Sequence, residues 1–270
     1  WCFATVIEGV RDVVSDHGYD LMLYPIGPDG GTETTHFEAL ALDKRVDGVI
    51  GLALPHELRV AGTLRRLPIV TVGTSTPGIP GVQVDDTEVG YIATKHLLEL
   101  GHRRIAFLGL DPDDRYGFRV ADDRYTGHCA ALREATLRPD PSLVVTTGFL
   151  AEAGEAALEE LMIRADWRTA DLPTAVVAVS DELAIGVIHA ARQWGVRVPQ
   201  DLSVIGVDNH DMAQFFDLTT VSQPVIEQGR LAAEILWELM HSGRMPDPEV
   251  TRLAPGLIVR DSTAGPRAGI

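Results

Sequence analysis

The sequence predicts an α/β protein built from two doubly wound, mainly parallel sheets. Short continuous apolar runs, the pattern of strands covered on both faces, alternate along the chain with helical stripes. Capping residues and glycines punctuate these runs. With 270 residues there are more strand–helix units than one small sheet accommodates, so two lobes fit the length.

Pro173–Asn209 shows the pattern best. Ala175–Val179 is a buried strand, and Ser180 and Asp181 can cap the helix that follows. Leu183, Val187, Ala191 and Trp194 form its apolar stripe. Gly195 ends it, Pro199 blocks continuation, and Leu202–Val207 is the next strand, closing on Asp208. Ser180, Asp181 and Asp208 therefore fall just past strand C-termini, where open α/β sheets bind ligands.

The other elements follow in order. A helix over Ala4–His17 with Val6, Val10, Val13 and Val14 in line stops at Gly18, and a strand is predicted at Tyr19–Tyr24. Beyond a Gly/Pro loop at Pro25–Gly31 come a helix over Thr34–Lys44, a strand at Val46–Leu52, a helix over Pro55–Arg66 and strands at Pro68–Val72 and Val82–Val84. Asp85, Asp86 and Thr87 can cap a helix reaching Leu100, where Gly101 ends it. Arg104–Gly109 is a strand, and Asp111–Asp123 a charged loop. A helix over Arg124–Ala135, a strand at Ser142–Thr146 and a helix over Ala151–Ala165 lead into the unit above. Thr219–Val221 is a strand, Ile226–Ser242 a helix, and Val250–Leu253 and Leu257–Val259 are strands. Thr263–Ile270 reads as a loose tail.

Composition narrows the function. Residues are 45% apolar, mean hydropathy is near zero, and no apolar run approaches the about 18 residues of a membrane helix. A net charge of −16 argues against this piece gripping nucleic acid, because duplex binding needs cationic side chains against phosphates. The two cysteines, Cys2 and Cys129, offer no metal spacing and are expected as thiols of a reducing cytoplasm. The chain lacks a dinucleotide Gly-x-Gly-x-x-Gly after a strand, a phosphate loop, a Gly-x-Ser-x-Gly elbow and a His-Glu-x-x-His pair. His96 and His102 flank a helix end. His102, beside Arg103 and Arg104, reads as C-terminal charge suited to the macrodipole, not as a metal ligand. Binding is expected rather than catalysis, with no metal or cofactor. The chain opens on a helix, with no initiator Met and no basic region before an apolar core, so we expect a fragment of a longer protein.

Several runs carry a family resemblance. Phe3-Ala-Thr-Val-Ile-Glu-Gly-Val, Asp47-Gly-Val-Ile-Gly, Pro68-Ile-Val-Thr-Val and Val82-Gln-Val-Asp-Asp come first. His96-Leu-Leu-Glu-Leu-Gly-His-Arg-Arg-Ile-Ala-Phe-Leu-Gly, Arg124-Tyr-Thr-Gly and Ser180-Asp-Glu-Leu-Ala-Ile-Gly follow. Leu218-Thr-Thr-Val-Ser-Gln-Pro and Leu257-Ile-Val-Arg-Asp-Ser-Thr complete the order. Over residues 1–263 the chain resembles the effector-binding domain of LacI/GalR-family transcriptional regulators.

The resemblance implies a type I periplasmic-binding-protein-like fold with an effector cleft between lobes: residues 1–85 plus 224–252 in one, 86–223 plus 253–270 in the other. It implies a cytoplasmic homodimer that senses a small molecule, a carbohydrate first, and reads operator DNA through an N-terminal helix-turn-helix. This sequence contains neither that motif nor the family's first strand. The rival reading is an extracytoplasmic sugar-binding protein of a transport system, which shares the fold.

Carried over residue by residue, Arg124 matches the family's effector-contacting arginine, whose planar fork pairs with hydroxyls or carboxylates. Asp208 matches the aspartate that accepts from neighbouring hydroxyls. Phe149 matches an aromatic that stacks on the effector, and Ser180 a polar pocket position, though it serves equally as a plain N-cap. Asp181 is expected to cap the helix. Phe3, Phe118 and Gln223 are further lining candidates. Leu52 and Gly73 stand where sugar-responsive relatives often place polar groups, and hydroxyls buried against Leu52 would go unpaired at a cost.

Overall fold

The computed structural model describes residues 1–25, 46–53, 67–110, 119–168, 171–247 and 249–267. The helices expected over 34–44 and 55–66, and Phe118, lie outside these residues. The described chain divides into two units, the first holding Trp1–Val84 and Pro224–Ala254, the second Asp85–Asp113, Arg119–Gln223 and Pro255–Ile270.

In the first unit, β1 (Val49–Leu52), β2 (Ile69–Val72), β3 (Gly81–Val84) and β9 (Val250–Leu253) form a parallel sheet in that order. Helix α1 (Cys2–Asp16) and the long helix later in the chain, Val225–Ser242, pack together against it. Val6 and Val10 of α1 meet Val70, Val72, Val82, Ala232, Ala233 and Leu236 in one apolar core. The expected strand at 19–24 does not form: the backbone there is irregular and Leu21, Met22 and Leu23 are exposed. A strand is stable only on a ladder, and among the described residues none runs alongside this segment.

The second unit has the strand order β10-β8-β7-β6-β4-β5, parallel except for β10. The elements are α2 (Asp86–Glu99), β4 (Ile105–Leu110), α3 (Val120–Glu134), β5 (Val144–Thr146), α4 (Ala151–Arg164), β6 (Ala175–Ala178), α5 (Asp181–Gln193), β7 (Ser203–Asp208), β8 (Thr219–Ser222), α6 (Val225–Ser242, in the first unit) and β10 (Gly256–Ile258). Short 3₁₀ turns occupy Pro141–Leu143 and Ala213–Phe216. The step from β4 to β5 runs one way across the sheet, and the steps to β6 and β7 run the other. Right-handed crossovers therefore put α3 on one face and α4 and α5 on the opposite face. Both faces being covered, β6 is buried at every residue, as the apolar run predicts.

Helix α3 starts four residues earlier than expected. Asp122 and Asp123 sit in its first turn, where carboxylates favour the positive end of the macrodipole. Their charge made the segment look like loop. Its N-cap, Arg119, is left-handed and makes no side-chain cap, so no capping signal marks the start.

Helices α2 and α3 touch backbone to backbone. A Cβ at Gly90 would lie 1.9 Å from the Arg124 carbonyl oxygen, and a Cβ at Gly127 would lie 1.9 Å from that of Thr87. Reciprocal glycines, Gly154 with Gly186 and Gly9 with Gly229, likewise bring α4 to α5 and α1 to α6.

Two further expectations are corrected. His102 is not an exposed helix-end charge. It is buried, with Nδ1 2.9 Å from Thr174 Oγ1 and Nε2 2.8 Å from the Ala264 carbonyl, and burial lowers its pKa, favouring the neutral ring. Nor is the C-terminal tail loose up to Arg267. Thr263 Oγ1 lies 2.9 Å from His96 Nε2, Ala264 N–H donates to Ser203 Oγ, and Arg267 donates to the Asp201 carbonyl.

Gly90→Ala forces α2 and α3 apart and is expected to cost about 1–3 kcal/mol or more. Gly148→Ala, whose Cβ would have its nearest neighbour at 3.9 Å, is expected to be near neutral. Urea denaturation of both variants checks the contrast.

Candidate functional site

Strands β5, β6, β7 and β8 of the second unit point the same way, so the segments that leave them collect along one carboxyl edge. Phe149 follows β5, Val179 and Ser180 follow β6, Asp208 ends β7 and Gln223 follows β8. Helices α2 and α3 begin at this edge too, and bring Asp86 and Arg124 to it.

Arg124 is buried, with a side chain only 5% exposed. Its Nε–H donates to Asp86 Oδ1 at 2.8 Å, and Nη1 donates to the Val179 carbonyl. Two adjacent aspartates at the start of α2 thus take different tasks. Asp85 Oδ1 caps the helix by accepting from Thr87 N–H and Glu88 N–H, and Asp86 holds the guanidinium.

Asp208 Oδ1 accepts from Gln223 Nε2 at 2.7 Å. Its backbone has φ of 124°, a conformation that side chains disfavour, and Asn209 follows in the left-handed region. Such strain persists only where surrounding structure enforces it, and it concentrates at binding sites. Burial pushes the Asp208 carboxyl up to about 6. Arg124 and Gln223 oppose that rise, while Asp86 and Glu182 add to it. Arg124, Asp86, Asp208 and Glu182 therefore share one electrostatic neighbourhood.

Asp181 does not cap α5, contrary to expectation. The cap is Ser180, whose Oγ accepts from Leu183 N–H at 3.1 Å and donates to the Phe149 carbonyl at 2.6 Å. Asp181 is fully buried, accepting from Thr220 Oγ1 at 2.7 Å and from His210 N–H at 2.8 Å. Gly206 of β7 makes room for it, since a Cβ there would fall 2.2 Å from Oδ1. Burial, with Asp208 nearby, pushes Asp181 up to about 8. Asp181 thus ties the ends of α5, β7 and β8 together, beneath Asp208.

The structure accordingly brings Arg124, Asp208, Gln223, Ser180 and the half-buried Phe149 to one edge. Ser180 spends its hydroxyl on the helix cap and on fixing the backbone of Phe149. Phe3 belongs to the first unit, on α1, and is 53% exposed. Leu52 and Gly73 sit at the ends of β1 and β2 in that unit. Sequence reasoning missed Asp86, Glu182 and Thr220. The signal for Asp86 was present: only one of two adjacent aspartates can cap a helix, which leaves the other available.

The periplasmic binding protein-like domain family matches residues 94–263. The HTH-type transcriptional repressor CytR of Escherichia coli K12 is 32% identical over 97% of this chain and 75% of the repressor. The chain belongs to the LacI family of transcriptional regulators. A LacI-family regulator from Mycobacterium smegmatis shares its fold at 35% identity with a TM-score of 0.81, covering 98% of this chain and 95% of that one. A LacI-family regulator from Enterococcus faecium, solved with bound ribose, matches at 27% identity and TM-score 0.79 over 98% and 94%. The relatives are transcriptional repressors and regulators, which does not favour the transport-protein reading. Among the described residues no helix is long and apolar enough to cross a membrane.

The two raised carboxyls set a pH dependence. A carboxyl whose pKa is higher in the folded than in the unfolded chain contributes stability that is full below the unfolded value. That contribution is lost as pH rises through about 6 for Asp208 and about 8 for Asp181. Asp181→Asn is expected to flatten the fall in stability between about pH 4 and pH 8. Thermal melts across that range check it, and an unchanged slope would count against the assignment.

Proposed function

We propose that this chain senses a small neutral effector, a carbohydrate or close derivative, and that the effector is held at the carboxyl edge of the six-stranded sheet by Arg124 and Asp208. One observation carries the reading: a strained Asp208 is held by Gln223 within the field of a buried Arg124, at the strand ends where α/β sheets bind ligands. The free Asp208 oxygen can accept from a hydroxyl, Arg124 can donate to one, and the Phe149 ring offers a face for the apolar side of a sugar. The ribose held by the Enterococcus faecium regulator supports a carbohydrate.

In this reading the effector binds one conformation of a homodimer more tightly than another. It thereby shifts affinity for operator DNA by the same coupling free energy that DNA exerts on effector binding. The net charge of −16 suits a sensing module better than a phosphate-gripping one, so contact with DNA falls to a further segment of the helix-turn-helix type named in the relative.

The test is a calorimetric titration of the purified chain with a panel of neutral mono- and disaccharides. At least one is expected to bind, and Asp208→Asn and Arg124→Ala are each expected to weaken it about tenfold or more, with unchanged circular dichroism. The same sugar should change operator binding by the full-length protein in a mobility-shift assay. Equal affinity in wild type and both variants would remove the site assignment.

A further inference from the structure

We infer that Asp86 makes this site selective for uncharged ligands, by occupying Arg124 so that the guanidinium can serve a hydroxyl but cannot clamp a phosphate or carboxylate. The inference deepens the proposed function and rests on its assignment of Arg124 to the effector site.

A guanidinium carries five N–H groups, and tight recognition of an oxyanion uses two parallel ones from a single edge. Here Nε is taken by Asp86 at 2.8 Å and Nη1 is engaged by the Val179 carbonyl. Nη2 has no partner among the described residues; Asp86 thus closes the edge that Nε shares with a terminal nitrogen, and on the other edge Nη1 already gives one of its two N–H groups to Val179. What remains is enough for single hydrogen bonds to a hydroxyl or carbonyl oxygen.

The charge balance points the same way. Asp86 compensates the Arg124 guanidinium, and Asp208 and Glu182 add negative charge beside it. An incoming anion would meet those carboxylates, and Arg260, whose charge reaches Asp181, is already engaged by the Leu218 carbonyl and Asn209 Oδ1. A hydroxyl meets acceptors in Asp208 and a donor in Nη2.

Asp86 cannot readily move aside. Asp85 fixes the start of α2 by capping it, and Gly90 and Gly127 hold α2 and α3 in backbone contact, with Gly90 against the Arg124 carbonyl itself. The pair is also shielded, with side chains 5% and 17% exposed, so solvent screening weakens it little.

The experiment titrates inorganic phosphate into the wild type, Asp86→Asn, and Asp86→Asn combined with Arg124→Ala. The asparagine keeps an oxygen for the Arg124 Nε–H and removes the charge. The wild type is expected to show no Arg124-dependent phosphate binding. Asp86→Asn is expected to gain it by about tenfold or more, and the double variant to lose that gain. Should Asp86→Asn not fold, Asp86→Ser takes its place. Arg124-dependent phosphate binding in the wild type, or no gain in a folded Asp86 variant, overturns the inference. Neither result touches the sugar titration of Asp208→Asn and Arg124→Ala, so failure of the effector-site assignment shows separately, as equal sugar affinity in those variants.

Discussion

The contact of α2 with α3 is the constraint on which the candidate site depends. Two glycines let two backbones approach to distances that any side chain would forbid. The approach places the start of α2 against the second turn of α3, so Asp86 and Arg124 meet inside the second unit and not in solvent. A surface ion pair is worth little because water competes for both partners. This one is enclosed, and separating it would leave a buried charge uncompensated. Arg124 is thus held in a single orientation before any ligand arrives, and binding need not bear the entropy of ordering a long side chain.

The same edge layers its carboxyl groups by depth. Asp181 lies deepest, holds its proton most tightly and ties α5 to the ends of β7 and β8. Asp208 lies above it, half-buried, with one oxygen committed to Gln223 and its backbone strained. Asp86 stands beside them as counterion to Arg124. Three acidic side chains within one small region would repel one another if all were ionised and equally solvated. Different burial and different partners separate their roles. Gly206 belongs to this arrangement, since Asp181 occupies the space a side chain there would fill.

Much of the fold was legible in the chain. Strands β2, β4, β6 and β7 announced themselves as short apolar runs, and Gly101 and Gly195 marked helix ends. Of the site, Asp208 and Arg124 were named through resemblance; the α/β pattern put Asp208 at a strand end, whereas Arg124 lies in the second turn of α3 and not at its start. The failures have common causes. Leu21, Met22 and Leu23 looked like a strand because composition reports apolar side chains but not the presence of a neighbouring ladder. The acidic first turn of α3 looked like loop because charge that favours a helix start also marks solvent-exposed turns. His102 looked like a surface cation because its partners, Thr174 and Ala264, lie 72 and 162 residues away.

The sequence by itself determined the class of structure, the order of strands and helices, and which carboxylates fall at strand ends. These follow from periodicity and capping, which act over a few residues. Tertiary structure alone decided that Ser180 caps α5 while Asp181 bridges to Thr220 and His210, and that Asp86 is the partner of Arg124 while Asp85 is the cap. It also decided that Asp208 and Gln223 meet, 15 residues apart in the chain. Adjacent aspartates are chemically identical to local rules. Which of them faces a buried guanidinium depends on how closely two helices approach, and that distance is set by glycines whose neighbours lie elsewhere in the chain.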